Sequence, residues 1–341
     1  MLFRRFLVIF FLSAAIVAAA ASGDIADLEK KLTGSSGNAR LELLNLLAAA
    51  CNNQDALKQI RYGKEALALA RQSHDRRQEA QALFYMGGGY LDRNESQDAI
   101  SSYSQAEKLF EELRLTTKQF DCIKNIGSVY ENMGDFAKAQ EYYEQALTLA
   151  RDAGFEKGMA VATSYIGIIH VYQSELDKAL ACFFQALAIQ EKLGDPAHIA
   201  NTKSYIGTVY ADLGNHEKAL EYYNQSLALA VYRDKKDLAN TAITLSNIGL
   251  EYGHLKKTQE SLATYNDALP LSEKVGDKNN VGRVLDSMAG AYVDLKDYER
   301  ALRFYMRSLD IWRETGSPYL ISSTTTNIGE LYIYRREKNR L

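Results

Sequence analysis

The stretches that decide the fold are two near-identical hexapeptides, Asn125-Ile126-Gly127-Ser128-Val129-Tyr130 and Tyr205-Ile206-Gly207-Thr208-Val209-Tyr210. A small residue occupies the third position of this motif throughout the chain, at Gly87, Gly127, Gly167, Gly207, Gly249, Ala289 and Gly329. The successive spacings are 40, 40, 40, 42, 40 and 40 residues. Three residues after each small residue stands Tyr90, Tyr130, His170, Tyr210, Tyr252, Tyr292 or Tyr332. Such a fixed period indicates a repeat protein.

A second pattern follows each small residue. Twelve positions after it stands Ala99, Ala139, Ala179, Ala219, Ser261 or Ala301. Four positions further on is an aromatic residue, Tyr103, Tyr143, Phe183, Tyr223, Tyr265 or Tyr305, and three later Ala106, Ala146, Ala186, Ser226, Ala268 or Ser308. Spacings of three and four place side chains on one face of a helix. Turn residues separate the patterns, as in Met133-Gly134-Asp135, so each repeat is predicted to contain two helices, here called helix A and helix B. The small residue on helix A then admits the aromatic residue of helix B.

This pattern resembles the tetratricopeptide repeat (TPR), in the forty-residue form found in Pins/LGN scaffold proteins and many bacterial signalling proteins. The Gly-x-x-Tyr of helix A and the Ala, aromatic and Ala of helix B carry the resemblance. It implies an all-α fold, a right-handed α-solenoid of stacked helix-turn-helix repeats over 38–341. The predicted repeats are 38–77, 78–117, 118–157, 158–197, 198–239, 240–279, 280–319 and a partial 320–341. Residues 22–37 are predicted to form an N-terminal cap and linker.

Three places depart from the pattern. Two extra residues fall between Ala230 and Asn240, which predicts a longer loop. Pro270 lies inside the helix B of 240–279, where it removes a backbone donor and should kink the helix. Gly87-Gly88-Gly89 interrupts a helix A, which predicts either a locally soft helix or the close approach of a ligand backbone.

The last repeat is incomplete, because Tyr332 should be followed by a turn and a helix B. The sequence instead continues as Arg335-Arg336-Glu337-Lys338-Asn339-Arg340 to Leu341. Three explanations are open: these residues fray, the chain belongs to a longer protein, or another protomer covers the last apolar face. We favour the second, a truncated chain with a missing C-terminal domain.

The N-terminus has the pattern of a secretory signal peptide over residues 1–21. Arg4 and Arg5 precede an apolar stretch, Phe6–Ala21, which ends in small residues. These 16 residues are short for a membrane span, which needs roughly 20, although an uncleaved N-terminal anchor remains an alternative. We therefore expect an exported protein, periplasmic or extracellular.

Composition and motifs argue against several function classes. The 40 basic and 43 acidic residues give a net charge of −3 and are well mixed, so no nucleic acid partner is expected. The three cysteines lack the spacing of a disulfide framework or a zinc site. No catalytic or phosphate-binding motif is present. We expect no enzyme activity, no metal and no small-molecule cofactor.

The resemblance implies that the A helices line a concave groove that holds a peptide or a partner helix. Residues two before the small residue face this groove, and so do residues four positions earlier. The candidate binding residues are Tyr85, Asn125, Tyr165, Tyr205, Asn247, Asn327, Asn201 and Arg283. Asn can donate to and accept from a peptide backbone, and Tyr adds amphipathic contact. Alternatively, the Asn residues only satisfy neighbouring repeats.

A carboxylate clamp, which in this family holds chaperone tails, needs Lys or Arg beside the Asn. Asp121 lies beside Asn125, and Ile243 lies beside Asn247, so a clamp is not supported.

The sequence therefore favours a non-enzymatic, exported TPR scaffold that binds a protein or peptide in its concave groove. The alternative is the extracytoplasmic sensor portion of a membrane signalling protein, of the histidine kinase or nucleotide cyclase type, truncated before its span and output domain. A hydrolase with a site outside known motifs is a third class. Peptide-responsive regulators like the bacterial Rap proteins share the repeats but work inside the cell, so the signal peptide argues against them.

Overall fold

A computed structural model describes residues 25–52, 54–233 and 238–338, which form sixteen α-helices and no β-strand. The predicted signal peptide, the alternative N-terminal anchor and the first residues of the cap lie outside the described residues. The chain divides into two compact units, residues 1–172 and 173–341. The all-α prediction is confirmed.

The first unit contains eight helices, of which the first belongs to the predicted cap. They are α1 (Ile25–Thr33), α2 (Gly37–Ala50), α3 (Ala56–Ser73), α4 (Arg76–Asp92), α5 (Ser96–Glu112), α6 (Thr116–Asn132), α7 (Phe136–Asp152) and α8 (Glu156–Tyr172). Each helix packs against the next, and α6 also packs against α8. Helices α2, α4, α6 and α8 are thus the A helices, and α3, α5 and α7 are B helices.

The second unit begins with a helix B and continues with alternating A and B helices. They are α9 (Leu176–Leu193), α10 (Pro196–Asp212), α11 (His216–Arg233), α12 (Leu238–His254), α13 (Thr258–Val275), α14 (Lys278–Asp294), α15 (Tyr298–Thr315) and α16 (Pro318–Lys338). Consecutive helices pack together, and the A helices α10, α12 and α14 also contact one another in order. The A helices begin about two residues before the predicted repeat bounds, as α14 does at Lys278.

The predicted contact between the small residue of helix A and the aromatic residue of helix B is present in both units. A Cβ atom added to Gly127 would lie 2.6 Å from Cε1 of Tyr143, and one on Gly249 would lie 2.6 Å from Cε1 of Tyr265. Glycine is therefore required because the ring packs directly on the backbone. Equivalent contacts join Gly87 to Tyr103 and Gly207 to Tyr223.

The Gly87-Gly88-Gly89 run has a different explanation from the two predicted ones. It lies inside the uninterrupted helix α4. A Cβ on Gly88 would lie 2.9 Å from Nε2 of Gln59, and one on Gly89 would lie 2.7 Å from Cγ1 of Ile60. Both neighbours belong to α3, so the extra glycines let two helices approach closely and need no ligand.

The first helix pair differs from the others. Leu47 of α2 occupies the position of the small residue and is fully buried. Gly63 of α3 takes the place of the aromatic residue, and Met86 of α4 packs against it. Gln59 replaces the first Ala of helix B, is fully buried, and its Nε2 donates to the Tyr85 carbonyl at 2.9 Å. The large side chain thus lies on helix A instead of helix B.

The turns between helices A and B share one hydrogen-bonding geometry. The Asp135 N–H donates to the Tyr130 carbonyl at 2.9 Å, and the Asn215 N–H donates to the Tyr210 carbonyl at 2.8 Å. The residue before each donor has a left-handed backbone, with φ of 76° at Gly134, as glycine readily allows. This bond is the hydrogen bond of a Schellman motif, which ends a helix, and the two examples lie eighty residues apart in the sequence.

The remaining departures have mixed outcomes. Helix α13 runs through Pro270 and continues to Val275, while the kink there stays a prediction. Residues 234–237, in the region of the predicted longer loop, lie outside the described residues.

Candidate functional site

In the first unit, Tyr165 and Asn125 each contact the aromatic residue of the preceding helix B. The Tyr165 ring stacks on the Tyr143 ring with centroids 4.9 Å apart. Burial raises the pKa of Tyr103, and a hydrogen bond with the Asn125 side chain opposes that rise. Tyr85 is half-buried, and burial raises its pKa. Asn125 therefore serves packing between repeats while remaining half-exposed.

Lys124, the neighbour of Asn125 in the sequence, is a residue that the sequence patterns did not single out. Its ammonium group lies 5.8 Å from the centroid of the Tyr165 ring, a cation–π contact. Burial lowers the pKa of Lys124, and the charge of Asp121 opposes this shift. A partly desolvated cation thus lies against the ring of the predicted residue Tyr165.

In the second unit, three predicted residues lie outside the two cavities described below. Tyr205 is exposed, and its ring stacks on Phe183 with centroids 5.4 Å apart. Asn201 is exposed, and its Oδ1 accepts from Nδ2 of Asn240 at 3.5 Å. Asn327 is half-buried on α16.

Asn247 of α12 and Arg283 of α14 are brought together, because both line one cavity of about 200 Å³. Ser287, the groove position of α14, also lines it. The rest of the lining comes from Ser246, Leu250, Tyr265, Val284, Asp286, Trp312 and Leu320. The cavity therefore combines amide, guanidinium and hydroxyl groups with an aromatic and aliphatic wall, as ligand pockets commonly do.

A carboxylate, Asp286, lies in this cavity and is held by hydrogen bonds. Its oxygens accept from Nε1 of Trp312 at 2.9 Å and from Oγ1 of Thr324 at 3.1 Å. Burial raises the pKa of Asp286, and these bonds oppose the rise. Gly282 makes room for the indole, because a Cβ there would lie 2.5 Å from the Trp312 ring. The bonds thus fix both the carboxylate and the aromatic wall.

A buried polar network positions Arg283. Its Nη2 donates to Oδ1 of Asn280 at 2.8 Å. The Nδ2 of Asn280 in turn donates to the hydroxyls of Ser246 at 3.1 Å and Ser272 at 2.8 Å. Because Asn280 is 1% exposed, the network fixes one end of an otherwise exposed guanidinium.

A second cavity of about 180 Å³ shares Leu250, Tyr265 and Ser287 with the first. His254 and Asp294 line its far end. The two cavities form a strip along α12 and α14 that runs from Arg283 to Asp294. We call this strip the α12–α14 groove.

Within residues 25–52, 54–233 and 238–338, no three His, Cys, Asp or Glu side chains are placed to hold a metal ion. Over the same ranges, no helix combines the length and apolar character that crossing a bilayer requires.

The comparison with protein families now identifies the fold. Residues 45–307 match the family model of the MalT-like TPR region. The chain belongs to this family. The match covers repeats in both units of this TPR protein, including α12 and α14.

The curated relatives match a shorter part of this TPR protein than the family model does. Photosystem I assembly protein Ycf3 of Prochlorococcus marinus subsp. pastoris is 34% identical over 115 residues, which are 33% of this chain. A second Ycf3, from Prochlorococcus marinus strain MIT 9215, is 32% identical over 113 residues. The chain spans 57% of the length of these relatives.

Solved structures match the fold over most of the chain. The apo form of the quorum sensor NprR from B. thuringiensis is 18% identical, with a TM-score of 0.67, covering 91% of this chain and 85% of that one. A Rap protein complexed with competence and sporulation factor is 18% identical, with a TM-score of 0.65, covering 85% and 79%. At these identities the likeness shows a shared TPR fold.

Proposed function

We propose that this TPR protein binds an extended segment of a protein or peptide in the α12–α14 groove, with Asn247 and Arg283 as the main polar contacts. One observation carries the proposal: two residues 36 positions apart, on neighbouring A helices, line the same cavity. The proposal needs no catalytic group, and we propose a non-enzymatic scaffold.

The chemistry of the groove suits a peptide backbone beside an apolar side chain. The Asn247 amide can donate to a carbonyl and accept from an N–H. Arg283, positioned by Asn280, can donate to further carbonyl oxygens. Trp312 and Leu250 offer an apolar wall and require little ordering on binding, because Trp312 is already held by Asp286.

The structural neighbours support this choice of partner. One Rap neighbour was solved with competence and sporulation factor bound, and NprR is a quorum sensor. Both neighbours are thus described as proteins of this fold that sense or bind another molecule. We extend this role to the present chain by analogy of fold.

The experiment selects ligands with the purified protein from a phage-displayed library of random peptides. A selected peptide should bind the Asn247→Ala and Arg283→Ala variants about tenfold more weakly each, a loss of roughly 1.4 kcal/mol. The control is Arg307→Ala on α15, since Arg307 pairs with Glu273 at 3.1 Å away from the groove. Binding that is unchanged in both groove variants, with helicity intact, contradicts the proposal.

We further propose that residues 1–21 direct export and that the mature protein works outside the cytoplasm. The apolar run and the small residues after it support this proposal. Intact-mass measurement and membrane fractionation of the native protein test it. A soluble species slightly lighter than 38.2 kDa agrees with a cleaved signal. A full-mass membrane species favours the uncleaved anchor, and a much heavier one favours the sensor portion of a signalling protein.

A further inference from the structure

Two glycines of the α12–α14 groove, Gly253 and Gly290, are not required by helix packing. On the same two helices, a Cβ added to Gly249 would lie 2.6 Å from the ring of Tyr265, and one on Gly282 would lie 2.5 Å from an indole ring. By contrast, the nearest neighbouring side-chain atoms lie 3.7 Å from a Cβ on Gly253 and 3.9 Å from one on Gly290. Both positions therefore have room for a side chain, although glycine lowers helix propensity.

Larger residues occupy these two positions in several other repeats. Leu91 stands in α4 where α12 has Gly253, four residues after the small residue. Ser128 and Thr208 stand where α14 has Gly290, directly after the small residue. The repeat pattern thus does not require glycine at either position. What the two glycines share is that both line the second cavity, of about 180 Å³.

Gly290 also deprives the hydroxyl of Tyr305 of a partner that its equivalents have. The Tyr143 hydroxyl lies 3.1 Å from the Ser128 hydroxyl, and the same contact recurs eighty residues later at 3.0 Å. Glycine cannot supply such a hydroxyl, and the Tyr305 hydroxyl oxygen lies 3.9 Å from the Cβ position of Gly290. Within the described part of the chain, this hydroxyl has no hydrogen-bond partner, although Tyr305 is only 7% exposed. One hydrogen-bonding position next to the cavity is therefore open to a ligand.

The charge around the second cavity is acidic. Asp294 lines it, and none of its described lining residues is Lys or Arg. Burial raises the pKa of Tyr305 to about 12, and the charges of Asp286, Glu330 and Asp294 act in the same direction. The Tyr305 hydroxyl thus stays protonated and lies in a negative field, which favours a cation.

His254 lines the cavity together with Asp294 and is itself held by a neighbouring histidine. Its ring stacks on the ring of His216 with centroids 4.7 Å apart. Nδ1 of His216 lies 2.7 Å from Oε2 of Glu251, a residue that is 2% exposed. The stack provides a flat wall against which a guanidinium group or an aliphatic stem can pack.

We propose that the second cavity of the α12–α14 groove admits a basic side chain, Lys or Arg, of the bound segment. The aliphatic stem passes over Gly253 and Gly290. The cationic head donates to the Asp294 carboxylate, which stands four residues after Gly290 on the same face of α14, and to the Tyr305 hydroxyl. This inference rests on the function proposed above and adds the residue type that the groove selects.

The test starts from the peptides selected on the purified protein, with binding measured at pH 8, where histidine is ordinarily neutral. Peptides that lose affinity for Asn247→Ala and Arg283→Ala should share a Lys or Arg at one position. Replacing that residue by norleucine, which removes the charge, should weaken binding to the wild-type protein about fivefold. Asp294→Asn should weaken binding of the basic peptide about fivefold and leave binding of the norleucine peptide unchanged. Asp267→Asn is the matched control, since Asp267 is exposed on α13 and does not line the cavity.

Filling the cavity should have a larger effect than removing the charge. Gly253→Leu introduces the residue that α4 has at Leu91, and it should weaken binding of the basic peptide by about tenfold or more, since the cavity is then occupied. The urea midpoint of this variant should not fall, because Leu favours a helix more than Gly does. Gly329→Leu on α16 is the matched control, because a Cβ there meets no described atom within 4 Å and Gly329 does not line the cavity.

The outcomes separate this inference from the proposed function. Peptides that depend on Asn247 and Arg283 but share no basic residue would overturn the inference and leave the proposed function standing. Binding that Gly253→Leu leaves unchanged would do the same, and so would equal losses on norleucine replacement in wild type and Asp294→Asn. Peptides that bind independently of Asn247 and Arg283 would overturn both.

Discussion

The helix pair α6–α7 and the helix pair α2–α3 hold equivalent places in their repeats but put the large side chain on opposite helices. In α6–α7 the backbone of Gly127 receives the ring of Tyr143, which is fully buried. In α2–α3 the fully buried Leu47 stands on helix A, and Gly63 stands on helix B. Both pairs nonetheless form two packed antiparallel helices.

The comparison teaches that the fold requires matched volumes at the helix interface more than particular residues. The two pairs differ in their polar requirements, because Tyr143 carries a hydroxyl that must form hydrogen bonds inside the repeat. It donates to Oε2 of Glu131 at 2.6 Å and lies 3.1 Å from the Ser128 hydroxyl. Leu47 carries no polar atom in its side chain, so the first pair has no equivalent network around that position.

The largest expected effect comes from removing the large side chain of either pair. Tyr143→Ala should lower the free energy of unfolding by about 3–5 kcal/mol, and Leu47→Ala by about 2–5 kcal/mol, since each leaves a cavity. Urea unfolding followed by circular dichroism measures both. Tyr319→Ala, at an exposed site, should stay within about 0.5 kcal/mol of wild type. A cost below about 1 kcal/mol for Leu47→Ala would break the comparison.

Replacement of the glycine in each pair, Gly127 or Gly63, should have a smaller effect on the free energy of unfolding. Gly127→Ala forces a methyl group against the rigid Tyr143 ring, 2.6 Å away. It should destabilise by about 1–2 kcal/mol, even after the gain in helix propensity. The Cβ of Gly63→Ala meets Cγ of Met86 and lies 3.4 Å from the Ala82 carbonyl oxygen. It should destabilise less than Gly127→Ala does, because methionine can turn about its side-chain bonds whereas the Tyr ring is rigid. The same urea titrations compare them, and equal costs would show that ring rigidity plays no part.

Removal of the Asp side chain that caps helix B should lower the free energy of unfolding by the same amount in both pairs. Asp135 caps α7 by accepting from the Lys138 N–H at 3.2 Å, and Asp55 caps α3 by accepting from the Lys58 N–H at 2.9 Å. Asp135→Ala and Asp55→Ala should each cost about 1 kcal/mol. Asn variants retain the acceptor and serve as controls. If the losses of stability in the two Ala variants differ by more than about 1 kcal/mol, the strength of the cap depends on how the capped helix packs against its neighbours.

The smallest effect is the pH dependence that Glu131 gives to the pair α6–α7. Burial raises the pKa of Glu131, and the bond from Tyr143 only partly opposes this. A carboxyl with a raised folded-state pKa stabilises the fold below its unfolded pKa, and this contribution is lost as pH rises through the folded pKa. Glu131→Gln should therefore flatten the pH dependence of the unfolding free energy from about pH 4 upward. A mutant profile parallel to that of wild type over this range would contradict the role of Glu131.

Periodicity predicts the helix pairs because each repeat must bury the same kind of interface. It also predicts the contact of the small residue with the aromatic residue, as between Gly127 and Tyr143. It missed the packing of Met86 on Gly63, since this contact joins neighbouring repeats and interrupts the pattern instead of repeating it.

The contact of Trp312 with Gly282 was also missed, although it left a usable signal in the sequence. Trp312 stands at the repeat position that Ala150 holds in the repeat 118–157, and Gly282 stands at the position that Phe120 holds there. Phe120 and Ala150 belong to one buried cluster. A large residue at one of these positions thus goes with a small residue at the other, and comparing both positions together would have predicted the contact.

For the candidate site, the repeat positions were enough to select Asn247 and Arg283. They could not show the cavities, which depend on how Leu250, Ser287 and Trp312 fill the space between helices. Side-chain shape, more than spacing, decides these cavities.

Lys124 escaped the sequence analysis for a related reason. Its place beside Tyr165 depends on the packing of α6 against α8, which brings together two side chains from neighbouring repeats. The position that Lys124 occupies is not one of those that define the repeat, so the pattern carried no information about it.

The shared turn geometry between helices A and B has a genetic consequence. Because the bonds at Asp135 and Asn215 close equivalent turns around near-identical hexapeptides, unequal crossing-over between their coding sequences would join the chain in register. Eighty residues, which are two repeats, could then be gained or lost without disturbing the helices on either side. The number of repeats can therefore change by whole repeats during evolution. A duplicated repeat can then acquire new surface residues while the original copy is kept.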